Sequence, residues 1–199
     1  MTMRHLLFIL CCCMALEGRA QLLSETGLDT MKTFHSLESA LKDPLNVYRL
    51  DLSKKKLSEV PEGVRQLKNL NALDLGHNKL KELPTWLSEL AYMQEFRAAK
   101  NKFDEVPPVV CQWKDLHRLD LSQNRLSGLP ACMGKLKHLF SLDLWSNELG
   151  DFPAELSGMT GLKFLDLRVI QFDQEEMDHI TELFPGARIF FSQPCNCGH

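Results

Sequence analysis

The stretch Leu70 to Tyr92, LNALDLGHNKLKELPTWLSELAY, decides the architecture, because the residues on both sides repeat it. Advancing from Val47 in steps of 23 reaches Leu70, Met93, Leu116, Leu139 and Leu162, all apolar. The fourth position of each block is Leu50, Leu73, Phe96, Leu119, Leu142 and Leu165, and the sixth is Leu52, Leu75, Ala98, Leu121, Leu144 and Leu167. The ninth is Asn78, Asn101, Asn124 and Asn147 in the central blocks, and the fifteenth is Pro61, Pro84, Pro107, Pro130 and Pro153. Self-similarity at a fixed period of this length means a solenoid, in which each unit buries its apolar face against the next.

Each column has a physical task. Apolar positions four and six alternate with polar ones, the period of a half-buried strand. Such a strand can bury its inner face only by stacking on its neighbours, at about 4.8 Å per strand. The Asn at position nine carries two donors and an acceptor, enough to satisfy buried backbone groups of its own turn and the next. Position fourteen (Val60, Leu83, Val106, Leu129, Phe152) is an inward anchor before a proline that fixes φ and starts the return segment. Positions eighteen (Val64, Leu87, Val110, Met133, Leu156) and twenty-one (Leu67, Leu90, Trp113, Leu136, Met159) lie one helical turn apart on the outer side.

The resulting pattern, LxxLxLxxNxLxxLPxxLxxLxx, resembles the leucine-rich-repeat family, in the 23-residue Leu-Pro class of Ras-group-type repeats and of many exported bacterial proteins. Leu70 to Tyr92 matches it almost throughout. The resemblance implies an α/β solenoid: a horseshoe with a parallel concave sheet, short helical or 3₁₀ outer segments, a helical cap at the N-terminus and a helix-strand cap at the C-terminus. It also implies recognition of another molecule, usually a protein, and names none.

The ends depart from the pattern, as solvent-facing terminal repeats must. Lys55 and Ile170 replace the Asn in the first and last blocks. Ser36 caps a short helix with Leu37, Ala40 and Leu41 on one stripe, stopped by Asp43-Pro44. Asp173 and Glu176 have capping-box spacing ahead of an apolar face of Met177, Ile180, Leu183 and Phe184, and ARIFF (187–191) follows as a final strand. The expected organisation is a signal peptide at 1–20, a linker and helical cap at 21–46, repeats over 47–172 starting at 47, 70, 93, 116, 139 and 162, and a capping helix, strand and Cys-rich tail at 173–199.

The signal reading rests on a basic start at Arg4 and His5, an apolar run from Leu6 to Leu16, and Gly18 and Ala20 at the small-residue positions of a cut. The run is too short to span a bilayer. It predicts a secreted, periplasmic or extracellular protein beginning at Gln21. Cys111, Cys132, Cys195 and Cys197 then remain, an even number that permits disulfides without assigning them. Cys111 and Cys132 fall at positions nineteen and seventeen of adjacent repeats, and that register offset argues against a bridge. No Asn-x-Ser/Thr sequon occurs, which favours a bacterial source.

The composition is ordinary for a globular protein: 44% apolar, 25% charged, net charge −3 over 199 residues. That balance points away from nucleic acid and anionic membranes, which require a basic face. No phosphate loop, nucleophile elbow, zinc-protease or dinucleotide motif is present. No cofactor and no enzymatic activity are expected. Position five carries Asp51, Asp74, Arg97, Asp120, Asp143 and Asp166, read as solvated strand acids in which Arg97 bridges Asp74 and Asp120. On an open face, desolvation is not expected to raise one of these carboxyls above another. The tail offers Cys195, Cys197 and His199, a set one ligand short of a structural zinc site and read as no metal site.

Concave positions two, three, five, seven and eight form the default binding face. Its C-terminal half groups Phe140, Trp145 and Phe164 with Asp143, Asp166, Lys163 and Arg168. Clustered exposed aromatics mark interfaces, unless the C-terminal cap folds over Phe164 and buries it. Tyr48 and Arg49, at the far end, are given no role, and Trp86 is read as partial packing on the outer side. The expected partner is a protein docked at Phe140, Asp143, Trp145, Lys163, Phe164 and Arg168. The other classes considered are an adhesive surface protein and a metal or redox role of the tail.

Overall fold

The computed structural model describes residues 22–192, so the signal segment and the tail cysteines lie outside the described residues. Eight strands form one parallel sheet in sequence order: β1 (Thr33–Phe34), β2 (Arg49–Asp51), β3 (Ala72–Asp74), β4 (Glu95–Arg97), β5 (Arg118–Asp120), β6 (Ser141–Asp143), β7 (Phe164–Leu167) and β8 (Arg188–Phe191). Neighbours pair one repeat apart, as in Leu73 with Phe96 and Leu119 with Leu142. The return path of every complete repeat is a short 3₁₀ segment at positions sixteen to twenty, such as Thr85–Glu89 and Ala131–Lys135. Its proline stands just before the first helical residue, where a missing N–H costs nothing.

The apolar columns meet in one continuous core, with every residue of positions four, six, eighteen and twenty-one buried. The irregular third repeat balances volume. Ala98 is small where other repeats have Leu, while Phe96 and Trp113 are large and pack with ring centroids 5.0 Å apart. The buried Trp113 indole donates to the Leu87 carbonyl at 3.1 Å. A swap of this kind keeps the filled volume roughly constant, which is what cores tolerate.

The strands end for a local reason. Each position-five Asp accepts the backbone N–H two residues on, as in Asp74 from Gly76 at 2.7 Å and Asp143 from Trp145 at 3.0 Å. These Asx turns bend the chain inward. The LDL acids are therefore turn-forming groups, not merely solvated ones. Position eight follows with positive φ in all six repeats: Lys54, His77, Lys100, Gln123, Ser146 and Val169, between 53° and 62°. The Asn ladder then closes the turn. Asn101 Nδ2 donates to Ala98 O and to Leu75 O of the preceding repeat, both at 3.0 Å, and its Oδ1 accepts from Leu80 N at 3.0 Å. The amide joins its own turn to the one before it, not to the next as the sequence suggested, because the side chain projects back along the stack.

Ser36 caps α2 (Leu37–Ala40), accepting from Ser39 N at 3.2 Å. Asp173 and Glu176 form a reciprocal capping box on α3 (Gln174–Leu183), which lays Ile180, Leu183 and the following Phe184 over the last repeat. The N-terminal region carries two elements the sequence did not reveal: β1, which extends the sheet, and α1 (Glu25–Thr30), capped by Ser24.

One expectation is overturned: Cys111 and Cys132 form a disulfide. A 3₁₀ segment turns about 120° per residue. With position eighteen inward, position nineteen therefore points to the following repeat and position seventeen to the preceding one. The offset of two residues brings the sulfurs together instead of parting them. Gly134 shows the same geometry, since a side chain there would strike the backbone of Glu155, at position seventeen of the next repeat. Cys111→Ser with Cys132→Ser is expected to lower stability by about 3 kcal/mol, the chain-entropy value for a loop of this size. Denaturant unfolding checks it, and an unchanged midpoint would show that the unfolded chain gains nothing from the link.

Candidate concave binding face

The two halves of the concave face differ. On the N-terminal half the face is covered by the chain itself. Leu23 donates its N–H to Gln94 Oε1 at 3.1 Å, and Gln94 Nε2 donates to Leu23 O at 2.8 Å. Glu25 lies 4.0 Å from Arg118, and Asp29 lies 3.5 Å from Arg49, whose Nη1 also donates to Leu28 O at 3.2 Å. Residues 22–31 thus lie across positions two and three of repeats one to four. Leu28 is 2% exposed and Glu95 only 5%, and Ala72 is buried as well, although position three faces outward elsewhere.

Glu95 is the charged centre of this half. A buried carboxylate needs partners to offset its lost hydration. Arg118 supplies one at 3.1 Å, Arg49 another at 3.4 Å and Arg97 a third at 3.9 Å. Among the described residues this is the only ion pair of Arg97, so Arg97 does not bridge Asp74 and Asp120. Burial raises Asp74 above the ordinary carboxylate range, with the Gly76 N–H and the Arg97 charge opposing it. Burial also raises Asp143, with the neighbouring acids adding to it. In Asp51, hydrogen bonds from Ser53 and His35 outweigh burial and hold it low. Burial therefore does separate these carboxyls, even on an open face. A raised carboxyl binds its proton more tightly folded than unfolded, so Asp74 and Asp143 cost stability above their folded pKa, and acidification removes that cost. A recess of about 250 Å³ lies here, lined by Thr33, His35, Arg49, Asp51, Glu95 and Arg97 among others.

Among the described residues, nothing covers the C-terminal half. The Phe140 and Phe164 rings meet edge-on with centroids 5.3 Å apart, and the residues remain 37% and 41% exposed. The described part of the cap does not cover Phe164: β8 places Arg188 beside it in register. Lys163 is exposed at the same rim. Trp145, however, stands apart from the pair. It is half-buried, makes no ring contact with either Phe, and lies five residues along the chain from Phe140, up to about 16 Å at strand rise. The sequence reading placed all three side by side. The structure instead puts two at the strand entrance and Trp145 at the exit, with Asp143 and Asp166 between. Arg168 clamps Asp166 through Nε, at 2.9 and 3.0 Å to its two oxygens, and faces the Phe190 ring at 5.9 Å.

Three contributors escaped sequence reasoning. His117 and His138 stack with centroids 6.1 Å apart beside Phe140, extending the aromatic rim. Val169, at the opposite rim, is 61% exposed with φ of 62°. A β-branched residue is strained there, and the signal was available: position eight is polar in every other repeat. Arg49, to which the sequence assigned nothing, is a centre of the covered half. Among the described residues, no group of three His, Cys, Asp or Glu could hold a metal ion, and no helix is long and apolar enough to cross a membrane.

A leucine-rich-repeat family model matches residues 46–103 and 114–169, more than half of the chain. The protein belongs to the leucine-rich-repeat family, whose members are typically protein-interaction modules. A leucine-rich-repeat protein of Leptospira interrogans superposes with a TM-score of 0.61 at 30% identity, covering 80% of this chain and 48% of that one. The chain thus spans about half the length of that protein. Internalin C2 of Listeria monocytogenes gives a TM-score of 0.63 at 19% identity over 76% of this chain and 64% of its own. The plant peptide hormone receptor RGFR1 in complex with RGF2 gives 0.61 at 23% identity, over 81% of this chain and 26% of that one. These last two likenesses are of fold. No curated protein sequence matches the chain closely enough to count as a relative.

Proposed function

We propose that the protein is an exported, non-catalytic recognition module that holds a protein partner against the C-terminal half of its concave face. The observation that carries this reading is the edge-on Phe140–Phe164 pair, left open beside a half-face that the chain covers with its own residues. Large rigid rings bury area on binding with little loss of rotamer freedom. Lys163 and Arg188 border them, and the Arg168–Asp166 clamp lies toward the strand exit, in the row of Trp145; this charge orients a partner more than it tightens it. Asp143 and Trp145 line the far side, where Trp145 and Val169 provide a second, separate apolar contact. The reading is of binding without catalysis, since the position-five acids are engaged in the turns that follow them.

Phe140→Ala or Phe164→Ala is expected to weaken binding of the partner, captured from the extracellular milieu, by about 25-fold, the effect of losing roughly 2 kcal/mol at a central aromatic. Trp86→Ala, half-buried on the outer side, is the control. If the Phe variants bind as tightly as wild type while Trp86→Ala does not, the working surface is the convex side. Export has its own check, since intact-mass analysis of the secreted protein should begin at Gln21, and a retained Met1 would remove the signal peptide from the reading.

A further inference from the structure

We propose that Leu22–Met31 is the built-in occupant of a second binding site on repeats one to four, and that this site takes an acidic helical peptide with a central leucine when the segment is displaced. The proposal stands independently of the aromatic pair, which lies on repeats five and six.

Four observations lead there. First, the segment is held as a peptide ligand is held. Gln94 both donates to and accepts from the Leu23 backbone, 71 residues away, reading main chain in the way a recognition site does. Second, the charges are complementary. Glu25 and Asp29 lie over Arg118 and Arg49, and the surface beneath sets three arginines (Arg49, Arg97 and Arg118) against the single buried Glu95. Bared, positions two and three of these repeats carry Arg49 and Arg118 against Glu95, a surplus of one positive charge directly under the segment, with the Asp51, Asp74 and Asp120 carboxyls further along the strands. Third, one apolar anchor is fully seated, Leu28, with acids at either end of the same six-residue helix.

Fourth, the attachment is weak enough to yield. Side chains of Glu25 and Asp29 are more than half exposed, and ion pairs so exposed contribute little. A helix of six residues does not persist alone in water, so α1 is ordered by docking and loses its order on release. Leu28 also lies outside the continuous core of the stack, which α2 and β1 close at that end. A partner segment of the same chemistry would find the hydrogen-bonding side chain, the arginines and the leucine seat prepared.

The test uses the full-length protein and a fluorescent peptide of residues 22–32. In the wild type, native-state hydrogen exchange should show the amides of Leu23 and Leu28 opening far more readily than those of Leu73 and Leu119. Glu25→Arg with Asp29→Arg, both on the surface, should release the segment while leaving the melting temperature nearly unchanged. That variant should bind the peptide at least about tenfold more tightly than wild type, because the wild-type affinity is reduced by the fraction of molecules whose face is closed. A peptide carrying Leu28→Asp should not bind and one carrying Glu25→Lys should bind more weakly than the native peptide, and these controls leave the fold of the protein untouched. Three results would each overturn the proposal. The segment amides could exchange only with global unfolding, which would make the segment an integral cap. The charge-reversed protein could bind the peptide no better than wild type. The altered peptides could bind as well as the native one.

Discussion

Asn124→Ala is expected to lower the unfolding free energy by about 3–5 kcal/mol, a large effect for one side chain of the asparagine ladder. The amide donates to Leu121 O at 2.9 Å and to Ala98 O at 3.1 Å, and accepts from Phe103 N at 3.1 Å. All three partners lie where water does not reach, and each buried group left unpaired costs about 1–3 kcal/mol. Against a typical total of about 5–15 kcal/mol the loss is severe. Asn124→Asp tests the mechanism more closely, since an acceptor pair facing two carbonyls restores the shape and not the bonds. Denaturant unfolding gives the answer, with exposed Lys102→Ala as the control. Because repeats contact only their neighbours, a break between the third and fourth repeats is also expected to reduce cooperativity, seen as a smaller denaturant slope. A loss below about 1 kcal/mol with an unchanged slope would mean that water enters the turn and replaces the amide.

Deleting residues 173–199 is expected to abolish cooperative folding. The deletion removes Ile180, Leu183 and Phe184 and bares Leu165, Leu167 and Ile170 at the open end of the core. It also removes Phe191, which packs edge-on against Phe172 with centroids 6.0 Å apart, and β8, which pairs with the last repeat strand. Each large apolar side chain returned to water costs about 1.5–3 kcal/mol, and several are returned at once. The sum is of the order of the whole stability of a domain. Ile180→Ala is the milder form, with an expected cost of about 2–5 kcal/mol. A truncated protein that melts at the wild-type temperature would show that the repeats close their own end and that the cap serves another purpose.

How much of this was legible without coordinates follows from what each contact repeats. Leu50 to Leu165, the prolines and the asparagines recur once per turn of the solenoid, so each column reports the same environment several times, and the inside, the outside and the turn side could all be read from periodicity alone. The capping box at Asp173 was legible because its two bonds join residues three apart.

The contacts that distinguish this protein within its family occur once and join distant residues, so no period announces them. Leu23 meets Gln94 across 71 residues, and nothing in the sequence of 22–31 marks it as lying on the concave face. Arg49 and Glu95 look like ordinary polar strand residues until three arginines converge on one buried carboxylate. Cys111 and Cys132 are separated by two fewer residues than the repeat, and only the 120° turn of the outer segments shows that this offset joins them. The sequence by itself determined the stack: which residues point inward, where the chain turns and how the C-terminal end is sealed, because burial of an apolar column is a local and repeated demand. Tertiary structure alone decided which part of the concave face is covered and which stays open, because that depends on where one non-repeating segment comes to rest, held by a few hydrogen bonds and charges whose partners are set by the curvature of the assembled sheet.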